Sequence, residues 1–463
     1  MYHQSSRSHT LWNTYSSVIL LILVIISPSH QLSICVIGGG ASGMFAAISA
    51  ADRLNEFYVS CNDDSLANME KNTVTVLEAT SKLLGKVKIS GGGRCNVLHD
   101  TSKPISRILE SYPRGKKELN GLYQKHFTPQ QAKEWFTSRG VVLKTEEDGR
   151  MFPISDSSQT IIDTLMHAAR KAGVIIDTGL KVTEVQQEDN DNHSSFIVTT
   201  DHGNMVYDVV ILATGSSPIG RKIADELGHT IVSPVPSLFT LSSKTSILEG
   251  GIFHDLAGLS VQNTEITIKY SVPGKKKKQK IIERGPLLLT HHGLSGPAAL
   301  RLSAFAAREF HSLKYKTDIY VNWAPMLGNI EEVERKLWKV KTLSPKKLIC
   351  SVCPFLIEDR STIIPRRLWS SLVSLSEIES NKTWEELSKK LCRKLALAIC
   401  ESKINITGKG VFKEEFVTAG GIALKDIDMK TLSSKKCNGL FACGEVLDID
   451  GVTGGFNFMV NFF

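Results

Sequence analysis

Gly38, Gly40 and Gly43 form a Gly-x-Gly-x-x-Gly pattern between a short apolar run and an alanine-rich stretch. In a strand–turn–helix unit this spacing allows a tight turn, close approach of the backbone to a pyrophosphate, and close packing of the helix on the strand. The first N–H groups of such a helix, with its partial positive charge, bind phosphate. The pattern therefore predicts a dinucleotide site, to which we assign Gly38, Gly40, Ala41, Ser42 and Gly43.

A carboxylate ends the next apolar run, residues 73–78, where it could accept hydrogen bonds from the hydroxyls of an adenosine ribose. This residue, Glu78, lies 35 residues after Gly43, whereas about 20 residues usually separate the glycines from the acid. We interpret residues 57–72 as extra material in the connection from helix to strand. It is either a tolerated surface loop, since long loops add little closure entropy, or an artefact of the gene model.

Two more strand-like runs, far apart in the sequence, end in glycines. The run DVVILATG, residues 208–215, ends where a larger side chain would collide with a ligand. Residues 438–457 contain a Gly-Glu pair, whose carboxylate could accept from a ribityl hydroxyl, and a Gly-Gly pair expected to open a helix aimed at the cofactor. Two such sites exceed what a plain NAD fold needs and favour FAD. The residues assigned here are Ala213, Thr214, Gly215, Gly444, Glu445, Gly454, Gly455, Phe456 and Asn457.

The elements around these motifs alternate between strand-like and helix-like patterns, which is typical of an α/β domain. From about residue 233 the sequence changes to β-like alternation and then to a helical pattern that lasts to residue 403. The β and glycine-rich pattern returns at about residue 411. We therefore predict an FAD-binding domain made of residues 32–232 and 411–463, interrupted by an inserted substrate-cap domain of residues 233–410.

The composition is that of a globular protein: 463 residues, 42% of them hydrophobic and 22% charged. The net charge of +8 is compatible with a nucleic-acid partner, an anionic cofactor or simple solubility. The densest basic run, within residues 275–280, lies between two strand-like segments, and no aromatic residues are interleaved with its lysines. We interpret it as a solvated hairpin tip. The expected partner is a small-molecule substrate rather than nucleic acid, and the sequence leaves the oligomeric state open.

Nine cysteines, an odd number, argue against a disulfide framework and for a reducing, intracellular compartment. A single C-x-x-C, Cys350 and Cys353, has no second pair, and a structural zinc site needs four ligands, so we expect no metal. Residues 1–31 are expected to be an apolar leader or targeting segment. Their apolar run 18–26 is too short for a stable membrane span. The Ser-rich, acid-poor composition suits import into a mitochondrion or plastid, although such presequences are also Arg-rich.

Seven stretches of the chain resemble the HI0933-like family of flavoproteins, NAD(P)- and FAD-dependent oxidoreductases of the two-dinucleotide-binding-domain type. They are VIGGGASG, KVKISGGGRCNV, GRMFPISDSS, LATGSSPIG, LLLTHHGLSGPAALRLS, VTAGGIAL and FACGEVLDIDGVTGGFN, which extend from about residue 34 to residue 458. The resemblance implies an α/β fold. In it, an FAD-binding Rossmann-like domain is split by an insert that contains a small β-barrel and a helical part.

The resemblance also explains three adjacent glycines, which a stable core would avoid because they lose much conformational entropy on folding. In such flavoproteins this segment lies along the pyrophosphate, the ribityl chain and the flavin. Backbone N–H groups of Gly91–Gly93 would contact the cofactor, and Arg94 would supply positive charge near its phosphate or flavin. A flexible loop is the alternative. The segment assigned to the cofactor consists of Lys86, Ser90, Gly91, Gly92, Gly93, Arg94, Cys95 and Asn96.

Two side chains near these motifs could take part in catalysis. His291 stands in LTHHGLSGP, where the family also has histidine, and could be a general acid or base beside the flavin. A histidine that fixes the loop is the alternative reading, and its neighbour His292 is expected to be a bystander. Cys95, next to Arg94, could be a redox-active thiol, but no second cysteine lies two to five residues away, which favours a buried spacer.

The chain departs from the family in two places. Ser216 stands where a second glycine is expected after Ala-Thr-Gly. The sequence also stops at GGFNFMVNFF, whereas the resemblance implies a terminal helix of roughly 15–20 residues, about four to five turns. We therefore expect a truncated C-terminus with weaker burial and weaker FAD binding.

The predicted function is an FAD-dependent oxidoreductase that transfers hydride between a small organic substrate, or NAD(P)H, and the flavin. NAD(P)H as electron donor is an expectation, since the sequence offers no second convincing Gly-x-Gly-x-x-Gly. The alternatives are an oxidase that acts on a small amine and produces peroxide, an FAD-containing protein that modifies or binds RNA, and a catalytically silent form.

Overall fold

The structure is a computed structural model that describes residues 31–60, 72–190, 193–244, 253–274, 277–356, 362–410 and 417–462. It divides into two compact units. The first contains the chain up to residue 234 and from residue 418 onward, and the second contains residues 235–417. The expected leader, residues 1–31, lies almost wholly outside the described residues.

In chain order the strands are β1 (Ser33–Ile37), β2 (Thr73–Glu78), β3 (Leu98–His99), β4 (Leu143–Thr145), β5 (Arg150–Pro153), β6 (Ile175–Thr178), β7 (Val182–Asn190), β8 (His193–Thr200), β9 (Gly203–Tyr207), β10 (Val209–Leu212), β11 (Ile231–Ser237), β12 (Leu241–Ser242), β13 (Ser260–Tyr270), β14 (Gln279–Leu289), β15 (Gly293–Ser295), β16 (Thr317–Asn322), β17 (Ser402–Ile406), β18 (Gly408–Lys409), β19 (Val417–Ile422) and β20 (Leu440–Ala442).

The α-helices are α1 (Ala41–Ser60), α2 (Gly85–Ile89), α3 (Ile105–Leu109), α4 (Lys116–Lys125), α5 (Pro129–Thr137), α6 (Ser158–Ala172), α7 (Pro218–Glu226), α8 (Gly296–Phe305), α9 (Ala307–Ser312), α10 (Ile330–Leu343), α11 (Arg366–Leu375), α12 (Lys389–Cys400) and α13 (Phe456–Met459). Since α1 extends to Ser60, the first residues of the expected extra loop belong to this helix. Most of the remainder, residues 61–71, lies outside the described part.

The first unit is built on a five-stranded sheet in the order β20-β10-β1-β2-β6, in which every pairing is parallel. Its central strands are continuous apolar runs: Ile34 to Ile37 in β1 are all buried, and Val74 to Leu77 in β2 are buried as well. This pattern is typical of parallel strands covered on both faces. The first strand, the glycine turn and α1 form the strand–turn–helix unit that the sequence predicts.

Helix α6 shows how local signals define the elements that cover this sheet. The Ser157 hydroxyl accepts a hydrogen bond from the N–H of Gln159 at the N-terminus, and Gly173 adopts the left-handed conformation at the C-terminus. One face, which includes Ile161 and Leu165, is fully buried. Two further sheets of three strands each, β3-β5-β4 and β7-β8-β9, are antiparallel and belong to the same unit. The chain passes between the two units at β11 and β19, which pair with each other.

The second unit contains a seven-stranded antiparallel sheet in the order β17-β16-β13-β14-β15-β12-β18. Its two edge strands, β17 and β18, are separated in the chain by one residue, Thr407. Both edges must therefore lie next to each other, which means that the sheet curls round on itself in the manner of a small barrel. Helices α10 to α12 and the inner face of the sheet share one core, centred on Trp323 and Trp369.

The unit boundaries, after residues 234 and 417, differ from the predicted insert boundaries of 233 and 410 by a few residues. That the second unit covers the flavin and forms a substrate pocket stays a prediction. No helix in the described ranges has the length and apolar character required to cross a bilayer.

A buried ion pair stabilises the segment after β20. The carboxylate of Asp450 has no solvent exposure and receives hydrogen bonds from the guanidinium of Arg114, which is 15% exposed. The same two residues form an isolated antiparallel bridge. The pair therefore ties the chain segment that follows Glu445 to the segment that precedes α4.

We expect Asp450→Asn to lower the free energy of unfolding by about 3 kcal/mol, because the buried guanidinium loses its charged partner. The control is Glu226→Gln, which removes the exposed pair of Glu226 with Lys222 on α7 and should cost less than about 0.5 kcal/mol. Urea titration followed by tryptophan fluorescence measures both. Equal effects of the two substitutions would contradict this account.

Candidate functional site

The residues that the sequence assigns to the cofactor meet along one edge of the first unit's sheet. All five strands are parallel, so their carboxyl ends share an edge. In the order of the strands, this edge carries Glu78 after β2, the glycine turn after β1, residues 213–216 after β10 and Glu445 after β20. Adjacent strands lie about 4.8 Å apart, so a ligand that touches both carboxylates must extend over about 14 Å. This edge suits an elongated ligand and is the position at which open α/β sheets bind their ligands.

The glycine turn contains two glycines that the fold requires and one that it does not. A Cβ on Gly38, whose φ is +112°, would lie 2.6 Å from the carbonyl oxygen of Ala213. A Cβ on Gly43 would lie 1.8 Å from the carbonyl oxygen of Gly38. A Cβ on Gly40, in contrast, would meet no described atom within 4 Å. The space next to Gly40, at the start of α1, is therefore open to a bound group.

Glu78 stands beside this turn with both oxygens engaged. One accepts a hydrogen bond from the Gly39 N–H at 2.8 Å, and the other accepts from the N–H and the hydroxyl of Thr80 at 2.9 and 2.8 Å. A carboxylate has about four lone-pair sites, so a ribose hydroxyl can still be accommodated. Sequence reasoning missed Gly39, where a Cβ would approach a Leu83 methyl group to 2.3 Å.

The triple-glycine segment forms a tight turn after α2. Its three glycines have φ values of +57°, +70° and +85°, in the left-handed region that residues with a side chain rarely adopt. A Cβ on Gly91 would lie 2.9 Å from the backbone nitrogen of Asn96, whereas Gly92 and Gly93 have open space around them. Close packing explains Gly91. The backbone conformation explains all three, and the open space leaves Gly92 and Gly93 accessible to a ligand.

The contacts of Arg94 do not support the role predicted for it. Its guanidinium donates to Glu146 at 2.5 Å and to Asp156 at 2.8 Å and lies 4.0 Å from the ring centroid of Phe152. Hydrogen bonds to these carboxylates, Glu146 first, raise the pKa of Arg94 above its usual value. Two carboxylates balance this charge and tie Arg94 to the residues around β5, and its predicted role near a phosphate or the flavin stays a prediction.

Lys86 connects three of the predicted segments. Its ammonium donates to the Ser216 hydroxyl at 2.7 Å and to the Glu445 carboxylate at 3.2 Å. The Glu445 side chain is 19% exposed and that of Lys86 is 67% exposed, so this small cluster opens to solvent. Ser216, which departs from the family pattern, is thus the partner of Lys86. Lys86 therefore brings α2, the helix that precedes the triple-glycine turn, next to the ends of β10 and β20.

Other assigned side chains are used inside the protein. A Cβ on Gly220 of α7 would lie 1.8 Å from the Thr214 hydroxyl oxygen, so Thr214 packs on that helix. Within the described residues, this buried oxygen has no hydrogen-bond partner. Ser90 donates to the carbonyl of Val87 at 2.8 Å. Asn96, with its amide oxygen toward Gly455, accepts from that N–H at 3.0 Å.

The C-terminal assignments are brought to the same region, but the side chains face inward. Phe456 is buried and stacks on His99 with a centroid separation of 4.4 Å. Asn457 makes hydrogen bonds of 2.7 and 2.8 Å to the backbone of Gly451. The helix that follows Gly454 and Gly455 is α13, a single turn, which has little of the dipole that the prediction invoked. These residues shape the site by closing its loops.

Gly444 shows how closely these loops approach α1. With a φ of +72°, it lies so near Ser42 that an added Cβ would be 2.6 Å from the Ser42 hydroxyl oxygen. Gly215 is less crowded, and its added Cβ would be 3.9 Å from the Glu445 carboxylate. Ala41 and Ala213 have no functional group, and they frame the turn by their small size.

Cys95 is fully buried, and this burial raises the pKa of its thiol to about 12. At neutral pH the thiol is therefore protonated, and it is a poor nucleophile or redox centre. The structure favours the interpretation of Cys95 as a buried spacer.

His291 belongs to the second unit, in the exposed turn between β14 and β15. Its predicted position beside the flavin stays a prediction.

The residues at the sheet edge fit FAD. The open space at Gly40 and the first turn of α1 suit a pyrophosphate, since N–H groups at a helix start bind anions. Glu78 can bind the adenosine ribose, and the cluster of Lys86, Ser216 and Glu445 offers donors and an acceptor to the ribityl and flavin end. When bound, FAD supplies two-electron redox chemistry that none of these side chains provides.

Sequence reasoning missed the residues that hold Arg94. Glu146 and Asp156 lie on either side of β5, and Asp156 has a φ of +50°, which is unusual for a residue with a side chain. A signal was present, because Phe152 and Asp156 belong to GRMFPISDSS, one of the stretches that carry the resemblance. That this stretch packs against the triple-glycine turn follows from the tertiary structure.

We expect Gly40→Ala to lower FAD affinity by more than about tenfold, while the thermal stability of the cofactor-free protein stays unchanged. The added methyl meets open space in the protein but would occupy the position of the bound pyrophosphate. Fluorescence titration with FAD measures the affinity.

The matched control is Gly121→Ala on α4, where an added Cβ also meets open space. FAD affinity should be unchanged in this variant. If Gly40→Ala binds FAD like the unchanged protein, the pyrophosphate does not lie at this turn.

Comparison with known proteins identifies the family of this chain. The HI0933-like protein Rossmann domain matches residues 32–463. The chain is 26% identical to a 3-dehydro-bile acid delta(4,6)-reductase from Clostridium scindens, over 91% of this chain and 94% of that one. It is 27% identical to a ribosomal RNA dihydrouridine synthase from Haemophilus influenzae, with the same coverage. The solved structure of a 3-ketosteroid-delta4-(5alpha)-dehydrogenase from Rhodococcus jostii aligns over 94% of this chain and 97% of that one, with 13% identity and a TM-score of 0.44. The chain belongs to the HI0933-like family and is an FAD-dependent oxidoreductase with a Rossmann-like fold.

Proposed function

We propose that this protein is an FAD-dependent reductase that adds hydrogen across a carbon–carbon double bond conjugated to a carbonyl group. The names of two relatives support this reaction. A 3-dehydro steroid with delta(4,6) double bonds is a conjugated dienone, and dihydrouridine is uridine with its ring double bond reduced next to a carbonyl. The observation that carries the proposal is that these two reactions on unrelated substrates have one chemical step in common.

The step is balanced by a hydride and a proton. A hydride adds to the carbon of the double bond that is farther from the carbonyl, and a proton adds to the carbon next to it. The substrate gains two electrons, and bound FAD, once reduced, is the source of the hydride. We propose a reduced nicotinamide nucleotide, NAD(P)H, as the donor that restores the reduced cofactor.

The residues at the sheet edge would hold the cofactor while this takes place. The backbone of Gly92 and Gly93 can approach a ligand without steric conflict. Lys86 lies beside Ser216 and Glu445, so a positive charge stands at the ends of β10 and β20. A cation at the flavin end stabilises the electron-rich reduced cofactor and so favours its formation by the electron donor. We propose that Lys86 has this role.

A second substrate class, uridine within RNA, is favoured by the distribution of charge. Residues 235–417 contain 29 Lys and Arg against 18 Asp and Glu, a net charge of +11. The rest of the chain contains 26 against 29, a net charge of −3. The positive charge of the whole chain therefore resides in the inserted unit, whereas the residues assigned to cofactor binding belong to the other unit.

We expect the purified protein with FAD, reduced anaerobically, to be reoxidised by a cyclic enone and by a uridine-containing RNA. The saturated ketone and an RNA of the same length without uridine are the matched controls. Stopped-flow absorbance follows the flavin bands, and mass spectrometry detects a gain of two hydrogens in the product. Anaerobic mixing with NADH and NADPH tests the electron donor in the same way.

Two results would contradict the proposal. The reduced protein could fail to react with both conjugated substrates, or it could produce peroxide with a small amine under oxygen. The second result would establish the amine-oxidase alternative.

We keep His291 as the proposed proton donor, since histidine is the side chain most often used for such transfers. His291→Gln should lower kcat for enone reduction by a factor of about 10². His292→Gln, a change of the neighbouring exposed histidine, should alter kcat less than threefold, that is by less than about 0.7 kcal/mol in barrier. Single-turnover kinetics with the pre-reduced enzyme measure both. Equal rates in both variants would show that His291 fixes the loop and is not the proton donor.

A further inference from the structure

The outer face of the sheet in the second unit carries a row of cations. Residues directly opposite each other in an antiparallel pair, and residues two apart in a strand, point to the same face. Lys269 of β13 is opposite Lys280 of β14, and Tyr320 of β16 is opposite Lys403 of β17. Glu265 of β13 is opposite Arg284 of β14. One face of this sheet thus presents Lys269, Lys280, Arg284 and Lys403.

The opposite face of the same strands is the core of the unit. Ile266 and Ile268 of β13, Ile319 of β16 and Ile404 of β17 have no solvent exposure. Since alternate residues point to opposite faces, the cations cannot be part of this core. Lys280, Arg284 and Lys403 are exposed. The sheet of the second unit therefore has an apolar inner face and a charged outer face.

Contacts on the outer face hold the cations in place but do not balance all of them. Lys403 pairs with Asp318 at 2.8 Å, and Arg284 pairs with Glu265 at 2.7 Å. The ammonium of Lys269 lies 4.0 Å from the ring centroid of Tyr320 and 3.7 Å from Glu401. The described end of the adjoining hairpin adds two exposed cations, Lys277 and Lys278, next to Lys280. We call the surface formed by Lys269, Lys277, Lys278, Lys280, Arg284 and Lys403 the basic sheet face.

We propose that the basic sheet face binds the phosphate backbone of a single-stranded RNA segment. Six cations against three carboxylates leave a surplus of positive charge, which complements a polyanion. This inference rests on the RNA version of the proposed function and goes beyond it, since it assigns a surface of the second unit, whereas the residues assigned to the cofactor belong to the first unit. A small steroid-like substrate has no need for such a surface.

The side chains of the basic sheet face limit which features of an RNA it can recognise. Among the paired positions named above, Tyr320 is the one aromatic residue. Lys269 lies over its ring, so Tyr320 is not free for base stacking. Lysine contacts to phosphate position a nucleic acid but carry little sequence information. The basic sheet face should therefore supply affinity and salt dependence, while base selection takes place elsewhere.

The test compares two triple variants with the same change in net charge. Lys278→Gln/Lys280→Gln/Lys403→Gln alters the basic sheet face. Lys339→Gln/Lys346→Gln/Lys390→Gln alters three exposed lysines of the helical part of the same unit. Fluorescence anisotropy with a labelled single-stranded RNA of mixed sequence measures the dissociation constant of each holoenzyme at several salt concentrations.

The sheet variant should bind RNA about tenfold more weakly at low salt. The slope of log affinity against log salt should fall by about two, since each lost phosphate contact on a single strand contributes about 0.7. The helical control should bind within about threefold of the unchanged protein. Equal loss in both variants, or no loss in the sheet variant, would overturn the proposal.

Two further measurements distinguish this proposal from the proposed reductase. Reduction of the cyclic enone should be the same in both triple variants and in the unchanged protein. If the protein binds RNA but reduces neither the enone nor uridine, the proposed reductase activity is wrong and the proposed RNA-binding surface is retained. Binding of anionic lipid vesicles in place of RNA would overturn the surface proposal and leave the reductase untouched.

Discussion

The site depends on how closely three backbone segments approach one another at the carboxyl edge of the parallel sheet. The turn after β1 leaves no room for a side chain at Gly38, because the carbonyl of Ala213 at the end of β10 occupies that space. Gly43 in turn packs on the carbonyl of Gly38 and sets α1 against the turn. Since the first turn of an α-helix presents N–H groups without a partner in the helix, this packing fixes the position of the proposed anion site. The outer parts of the cleft are arranged round this contact.

We propose that backbone dipoles, more than side-chain charges, accommodate the pyrophosphate of the cofactor. Two cations near the triple-glycine turn, Lys86 and Arg94, both pair with carboxylates. The unit that contains them has a small negative net charge. A pyrophosphate at the start of α1 would rely on N–H groups and the helix dipole, which need no counter-charge. The inserted unit differs, since its basic residues outnumber its acidic residues by eleven.

Parts of this site could be predicted because they follow from local constraints. A Gly-x-Gly-x-x-Gly pattern after an apolar run has few structural explanations, and Glu78 ends β2 while Glu445 follows β20 by three residues. For other assigned residues, the structure shows contacts within the protein that the sequence did not indicate. Arg94 is turned toward Glu146 and Asp156, and Phe456 is buried on His99. The direction of a long side chain depends on partners more than fifty residues away, and a pattern of neighbouring residues does not contain them.

The sequence by itself determined the strand–turn–helix unit, the glycines at strand ends and the family, since each depends on residues close together in the chain. The tertiary structure decided which of these glycines are packed and which are open, because that depends on atoms of Ala213, Asn96 and Ser42 from other segments. It also decided the strand order that aligns Glu78 with Glu445, and the register that gathers lysines on one sheet face. The strand order and the pairing of β16 with β13 and β17 join segments that are far apart in the chain. The hydrophobic periodicity of one segment does not specify which distant segment pairs with it.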